Sequence, residues 1–399
     1  MSEAWNQKNP PVLWFLLFSA IQNGPSSWIR LYFCAQLPIR WQRTISSPAS
    51  KKRIRTVHWL QKRNPRSAIG GFFLTLIMMF LPGMTQAQVL YLDEQFGFAR
   101  TTGVVYASKP AGSPATDMDL QLELFQPTGA GVPAANPGLI LIHGGGFTGG
   151  NRFSGRLIQI CEDMAKRGWT CVSIDYRLSA DDPVLSPEFV AIETLTQGSE
   201  MADDPTAVAA ASEDAWAAYQ WMVDNAASLG VDTSRIGIGG SSAGAVTSLI
   251  VGYILDDLGI AAKGDIDAVF DMWGTLGPDP IIVQADDPAL LIAHGEDDST
   301  VSVSGAYALV NQATTVGLTH ESYIFPNTGH GFNIYSYEAT PGVSVFQRFT
   351  EFFYQNVALN GATAVPSASV WSLSLMTGLI LAFATLHLKR SKPQTDPET

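Results

Sequence analysis

Ile236-Gly237-Ile238-Gly239-Gly240-Ser241-Ser242-Ala243-Gly244-Ala245 changes character at its centre. The isoleucines make a short buried strand, and the apolar run from Ser242 to about Leu255 makes a helix. Gly240-Ser241-Ser242-Ala243-Gly244 is a G-x-S-x-G pattern lying directly between the two. A serine at such a strand-to-helix turn is pushed into a strained, exposed geometry, and small neighbours let the backbones approach. Position is what separates this pattern from a glycine-rich turn with an incidental serine. Ser242 is therefore the candidate nucleophile.

Outward from this turn, between Gln88 and about Ala364, short aliphatic runs alternate with longer amphipathic stretches, the pattern of strands joined by crossover helices. Strands are expected at 103–107, 118–125, 138–142, 171–175, 268–273, 290–293 and 321–325. Helices are expected at 153–167, at 206–228 before the stop at Gly230, and at 344–354. One α/β domain with a mostly parallel central sheet flanked by helices accounts for the series. The segment from Leu178 to Pro205 fits none of these elements. It holds Pro183, Pro187, seven acids and no basic residue, and reads as a short lid or binding-loop insertion.

Three further motifs fall after strands. His143-Gly144-Gly145-Gly146-Phe147 opens a loop whose glycines let a substrate carbonyl approach main-chain nitrogens, so the N–H groups of Gly145 and Gly146, with that of Ala243, are the expected oxyanion donors. No G-K-[ST] or dinucleotide spacing follows, which argues against a phosphate loop. His294-Gly295-Glu296-Asp297-Asp298 and Gly329-His330-Gly331-Phe332 supply an acid and then a histidine after Ser242, in the order this architecture requires. Loops at the carboxyl ends of parallel strands meet at one sheet edge. His330 is the expected base and Asp298 its carboxylate, with Asp297 and then Glu296 as alternatives that only geometry separates. His320 reads as a surface or turn residue, and His143 and His294 as structural members of their loops.

Together HGGGF, the DYRL string at Asp175–Leu178, GGSSAG, HGEDD and GHGF resemble the esterase and lipase families of the α/β-hydrolase superfamily, nearest to hormone-sensitive-lipase-like and feruloyl-esterase-like carboxylesterases. The match runs from about Leu120 to Phe353. It implies an α/β-hydrolase fold, Ser242, Asp298 and His330 as catalytic triad, Gly145, Gly146 and Ala243 as oxyanion hole, and a small-molecule ester as substrate. The chain departs from many lipase relatives in lacking a large N-terminal helical cap. In Asp175-Tyr176-Arg177 a contact at the edge of the site competes with a buttress for the sheet, and the buttress is favoured. Two other functions compete with an exported carboxylesterase: a serine peptidase of the prolyl-oligopeptidase type, which normally needs a further domain that 88–364 does not accommodate, and a non-catalytic surface-binding protein, against which the complete triad argues.

Charge is distributed very unevenly. Residues 1–66 hold 11 Lys or Arg and one acid, Glu3, whereas residues 88–365 hold 10 basic and 33 acidic residues. Such a domain repels phosphate backbones, so nucleic acid is not an expected partner. Lys62, Arg63 and Arg66, the apolar run from Ala68 to Leu81 and a small-residue site ending at Ala87 form the parts of a secretory signal peptide. Residues 1–87 are thus read as leader and signal, with an over-extended start explaining residues 1–60. Pro366 to Leu388 is uncharged and long enough to span a bilayer, and Lys389, Arg390 and Lys392 after it hold the preceding domain on the far side. Residues 365–399 resemble the IPTL-CTERM and PEP-CTERM sorting tails, which implies membrane anchoring and a sorting protease as partner. An exported location in the cell envelope is expected. Cys161 and Cys171 are read as either a disulfide or two buried thiols. No Cys/His cluster has zinc spacing and no calcium-loop pattern occurs, so no cofactor and no metal are expected.

Overall fold

In the central strands successive side chains serve two different cores. The computed structural model describes residues 88–197, 203–277, 280 and 283–360. Both the leader at 1–87 and the tail at 365–399 lie outside the described residues. Among the described residues no helix is long and apolar enough to cross a membrane.

The strands β1 (Gly97–Ala111), β2 (Thr116–Thr128), β3 (Asn136–Ile142), β4 (Thr170–Ile174), β5 (Val231–Ser241), β6 (Ala268–Met272), β7 (Ala289–Gly295) and β8 (His320–Phe325) form one sheet in the order β1-β2-β4-β3-β5-β6-β7-β8. β2 runs antiparallel to β1 and β4, and every pairing from β4 through β8 is parallel. Parallel neighbours need crossovers. These are supplied by α1 (Gly155–Lys166), the long α3 (Pro205–Asp224), α5 (Ala243–Tyr253) and α6 (Val303–Val316), with α7 (Val345–Phe353) closing the domain. Short helices α2 (Val190–Thr196) and α4 (Ala226–Leu229) and a two-stranded ribbon of β9 (Glu338–Thr340) and β10 (Val343–Ser344) complete the described elements.

Strand alternation sorts the core. Ile140, Ile142, Val269, Leu290 and Ile292 face α3, α5 and α6, while Leu139, Leu141, Phe270, Leu291 and Ala293 face α1 and α7. On the second face Phe349 stacks on Phe270 at 4.8 Å, which explains why α7 carries aromatic residues on one side only. This is the doubly covered sheet expected for strands that read as continuous apolar runs. Asp204 caps α3 by accepting the N–H of Ala207, with Pro205 at the first helical position.

β1 extends well beyond the expected 103–107, because its outer residues are polar or exposed and are held by pairing to β2 rather than by a buried face. α6 and the β9–β10 ribbon were not anticipated. Cys161 in α1 and Cys171 in β4 form a disulfide with Cα atoms 5.2 Å apart, which decides the open alternative. The Leu178–Pro205 insertion is partly anchored, not free: Phe189 and Ile192 are buried in the core, while Val184, Val190 and Leu195 are exposed.

Candidate active site

Ser242 closes the turn between β5 and α5 with φ 55° and ψ −120°, a region that a side-chain-bearing residue occupies only when its surroundings over-determine it. Three hydrogen bonds do this: Ser242 N–H donates to Met272 O at 2.9 Å, and Ser242 O accepts the N–H groups of Ala245 and Val246. Gly244 permits the close approach. A Cβ there would sit 2.1 Å from Ile142 O and 2.6 Å from His143 O, so the helix that follows Ser242 lies directly against the end of β3.

β3 delivers the glycine loop to the same point. Gly144 is so near that a Cβ on it would be 3.1 Å from Ser242 Cβ. Gly145 takes φ 131°, and a Cβ on it would overlap Gly149 O at 2.0 Å, so the loop folds back tightly on itself. Among the described residues no protein acceptor is paired with the N–H groups of Gly145, Gly146 or Ala243. His143 fixes the loop from behind: its ring stacks on Tyr176 at 4.3 Å, its Nδ1–H donates to Gly144 O at 2.8 Å, and its own carbonyl accepts the Tyr176 hydroxyl. Burial holds the His143 imidazole below its ordinary pKa, in keeping with a neutral structural ring.

The loops after β7 and β8 bring the other two side chains. His330 Nδ1–H donates to Asp298 Oδ2 at 2.7 Å, which fixes the tautomer and leaves Nε2 to accept the Ser242 Oγ–H at 2.9 Å. Asp298 Oδ1 accepts the N–H groups of Thr300 and Val301. Burial pushes the Asp298 carboxyl up, but the hydrogen bonds from His330, Val301 and Thr300 outweigh it and hold the group below its ordinary value. The alternatives Asp297 and Glu296 are solvent-exposed, so the choice among the three carboxylates falls on Asp298 by geometry.

Behind Asp298 lies a buried layer of which only His294 belongs to a quoted motif. His294 Nε2–H donates to Val301 O at 3.0 Å and lies 3.3 Å from Asp298 Oδ2, while its Nδ1 is buried without a partner among the described residues. Asp271, wholly buried on β6, accepts the Gly274 N–H with Oδ1 and leaves Oδ2 unpaired. Burial raises its pKa to about 6 against the opposing pull of His294. Trp273, at the end of the same strand, has φ 52° and sets its indole edge-on to His330 with ring centres 6.5 Å apart. Its place at the carboxyl end of a parallel strand was the available signal.

Asp175-Tyr176-Arg177 is a buttress. Arg177 is fully buried and donates to both oxygens of Asp214, to Glu213 and to the carbonyls of Pro110 and Val184, pinning the base of the insertion to α3 and β1. Asp175 pairs with Arg152 just beyond the glycine loop. Ser179 N–H donates to Phe147 O at 2.9 Å, so the insertion begins against that loop.

A sheet of this order, with Ser242, Asp298 and His330 on the loops after β5, β7 and β8, is the α/β-hydrolase fold. A protein-family profile described as an alpha/beta hydrolase fold matches residues 206–270. "Lipase 2" of Moraxella sp. is 32% identical over 114 residues, covering 28% of this chain and 20% of that protein. "Carboxylesterase NlhH" of Mycobacterium tuberculosis is 28% identical over 123 residues, covering 31% of each. The chain thus spans a fifth to a third of the length of these curated relatives. Among solved structures, the native esterase Est2 of Thermogutta terrifontis aligns with 65% of this chain and 94% of its own at 20% identity and a TM-score of 0.48.

Proposed function

We propose that the protein is a serine carboxylic ester hydrolase acting through an acyl-enzyme on a small or aryl ester. One observation carries the reading: an unbroken line of hydrogen bonds from Ser242 Oγ through His330 to Asp298, beside main-chain N–H groups with no protein acceptor among the described residues. In this reading the Ser242 Oγ–C bond forms as its proton passes to His330 Nε2. The N–H groups of Gly145, Gly146 and Ala243 hold the oxyanion, each such donor contributing about 3 kcal/mol to lowering the barrier. Collapse releases the alcohol, which takes the proton from His330. Water then repeats the sequence and frees the acid. The lipase and carboxylesterase names of the partial relatives support this reading.

Export to the cell envelope and anchoring through the tail belong to the same proposal, supported by the signal-peptide pattern before Gln88 and the basic residues after Leu388. N-terminal sequencing of the chain from an envelope fraction should begin at Gln88; an intact leader on cytosolic protein would count against export.

Labelling by a fluorophosphonate probe and turnover of p-nitrophenyl acetate and butyrate test the chemistry. Wild type should label and turn over, and Ser242→Ala should do neither while keeping its circular dichroism. An unlabelled, folded wild type would leave a binding protein, and peptide cleavage with negligible ester turnover would make the protein a peptidase.

A further inference from the structure

The described domain carries ten Lys and Arg residues amid a threefold excess of acids. Nine of the ten form ion pairs. Of the ten, Arg156 alone has neither an ion pair nor a side-chain hydrogen bond among the described residues. In a domain so rich in carboxylates, a guanidinium without one is the improbable arrangement.

Its placement adds to the cost. Arg156 is half-buried in the first turn of α1, where the helix dipole disfavours a cation and no acidic residue compensates. Burial pulls its pKa down with nothing opposing it. Its guanidinium lies over the face of Trp273, with the guanidinium carbon 5.4 Å from the ring centre. That indole is the one set edge-on to His330. The unpaired cation therefore lies two ring contacts from the imidazole that faces Ser242, on the helix that follows the glycine loop.

We infer that Arg156 is a substrate-recognition residue that receives a carboxylate, so that the esters acted on carry a free carboxylate several bonds from the scissile carbonyl. This rests on reading Ser242, His330 and Asp298 as an ester-hydrolysing site. A planar guanidinium held over an indole offers its fork to a planar anion bidentately. A singly charged carboxylate suits a single arginine in an acidic domain better than a phosphate dianion, which the surrounding field opposes more strongly.

Two matched pairs of esters test this: mono-4-nitrophenyl glutarate against 4-nitrophenyl butyrate for an anion on the acyl side, and 4-acetoxybenzoate against phenyl acetate for one on the alcohol side. The readout is the ratio of kcat/KM for the anionic ester to that for its neutral partner, which cancels any general loss from imperfect folding. In one pair Arg156→Gln should lower that ratio by roughly tenfold or more, the loss expected for a hydrogen bond to a charged group, and Arg156→Lys should fall between. Ratios unchanged within about twofold in both pairs would overturn the assignment. Fluorophosphonate labelling of Ser242 keeps the two readings apart. If Ser242 labels but no ester is turned over, the esterase reading fails, and Arg156 is judged by whether glutarate slows labelling of wild type more than of Arg156→Gln. Equal protection overturns it, and selective protection upholds the anion site on other grounds.

Discussion

Ser242 occupies a backbone region that costs about 1–3 kcal/mol for a residue with a side chain, and the hydrogen bond of its N–H to Met272 O helps hold it there. The same precision selects the acid. Asp298→Asn should lower kcat by about three to four orders of magnitude with little change in stability, because the amide no longer fixes the His330 tautomer. Asp297→Asn and Glu296→Gln should stay within a few-fold of wild type, and steady-state kinetics on p-nitrophenyl butyrate decides between these outcomes. The sequence placed three carboxylates within three positions, and nothing in their spacing could say which one turns inward. Asp271 was invisible for a related reason: it lies inside a strand with no motif, and its meaning comes from burial beside His294. Its carboxyl titrates near 3.8 when unfolded and at about 6 when folded. Between those values the folded state keeps a proton that the unfolded state has released, so stability falls as pH rises through this window and the penalty persists above it. Asp271→Asn should therefore gain in melting temperature relative to wild type as pH goes from 4 to 7. A gain that is flat with pH, or larger at pH 4, would refute this account.

At the scale of elements, the joint between β3, β5 and α5 has no room. Gly244→Ala would press a methyl group onto the backbone oxygens of Ile142 and His143, which no side-chain rotation relieves. It should destabilise by about 1–3 kcal/mol in urea titration, the usual range for overpacking, and suppress fluorophosphonate labelling of whatever fraction folds. Retained labelling with unchanged stability would show that the joint yields. Elements buried on both faces were the legible ones, since β3 and β7 carry the continuous apolar runs 139–142 and 289–293, and β6 is apolar but for Asp271. β1 was read too short because most of its length is recorded in its pairing to β2 and not in its own composition. α6 escaped because its small and polar residues, with only Gly305, Ala306, Leu309 and Ala313 buried, leave a faint stripe.

Over the whole molecule, charge was readable as a total but not as a pattern of pairs. With 33 acids against 10 bases between residues 88 and 365, repulsion outlasts the ion pairs. The melting temperature of the 88–364 segment should rise by a few degrees between 20 and 500 mM NaCl, the shift expected for about 1 kcal/mol in a domain of this size. A fall with salt would mean that the paired cations dominate. The strand order has an effect in time as well as in space. Ser242, Asp298 and His330 follow the fifth, seventh and eighth strands of the sheet, so the base is the last of the three to leave the ribosome. On the proposed reading, a growing chain carries Ser242 for some ninety residues before His330 exists to activate it. Ester turnover should therefore be a stringent reporter of completion: on the proposed reading a polypeptide that stops short, or whose last strand fails to dock, is silent whatever the state of the rest.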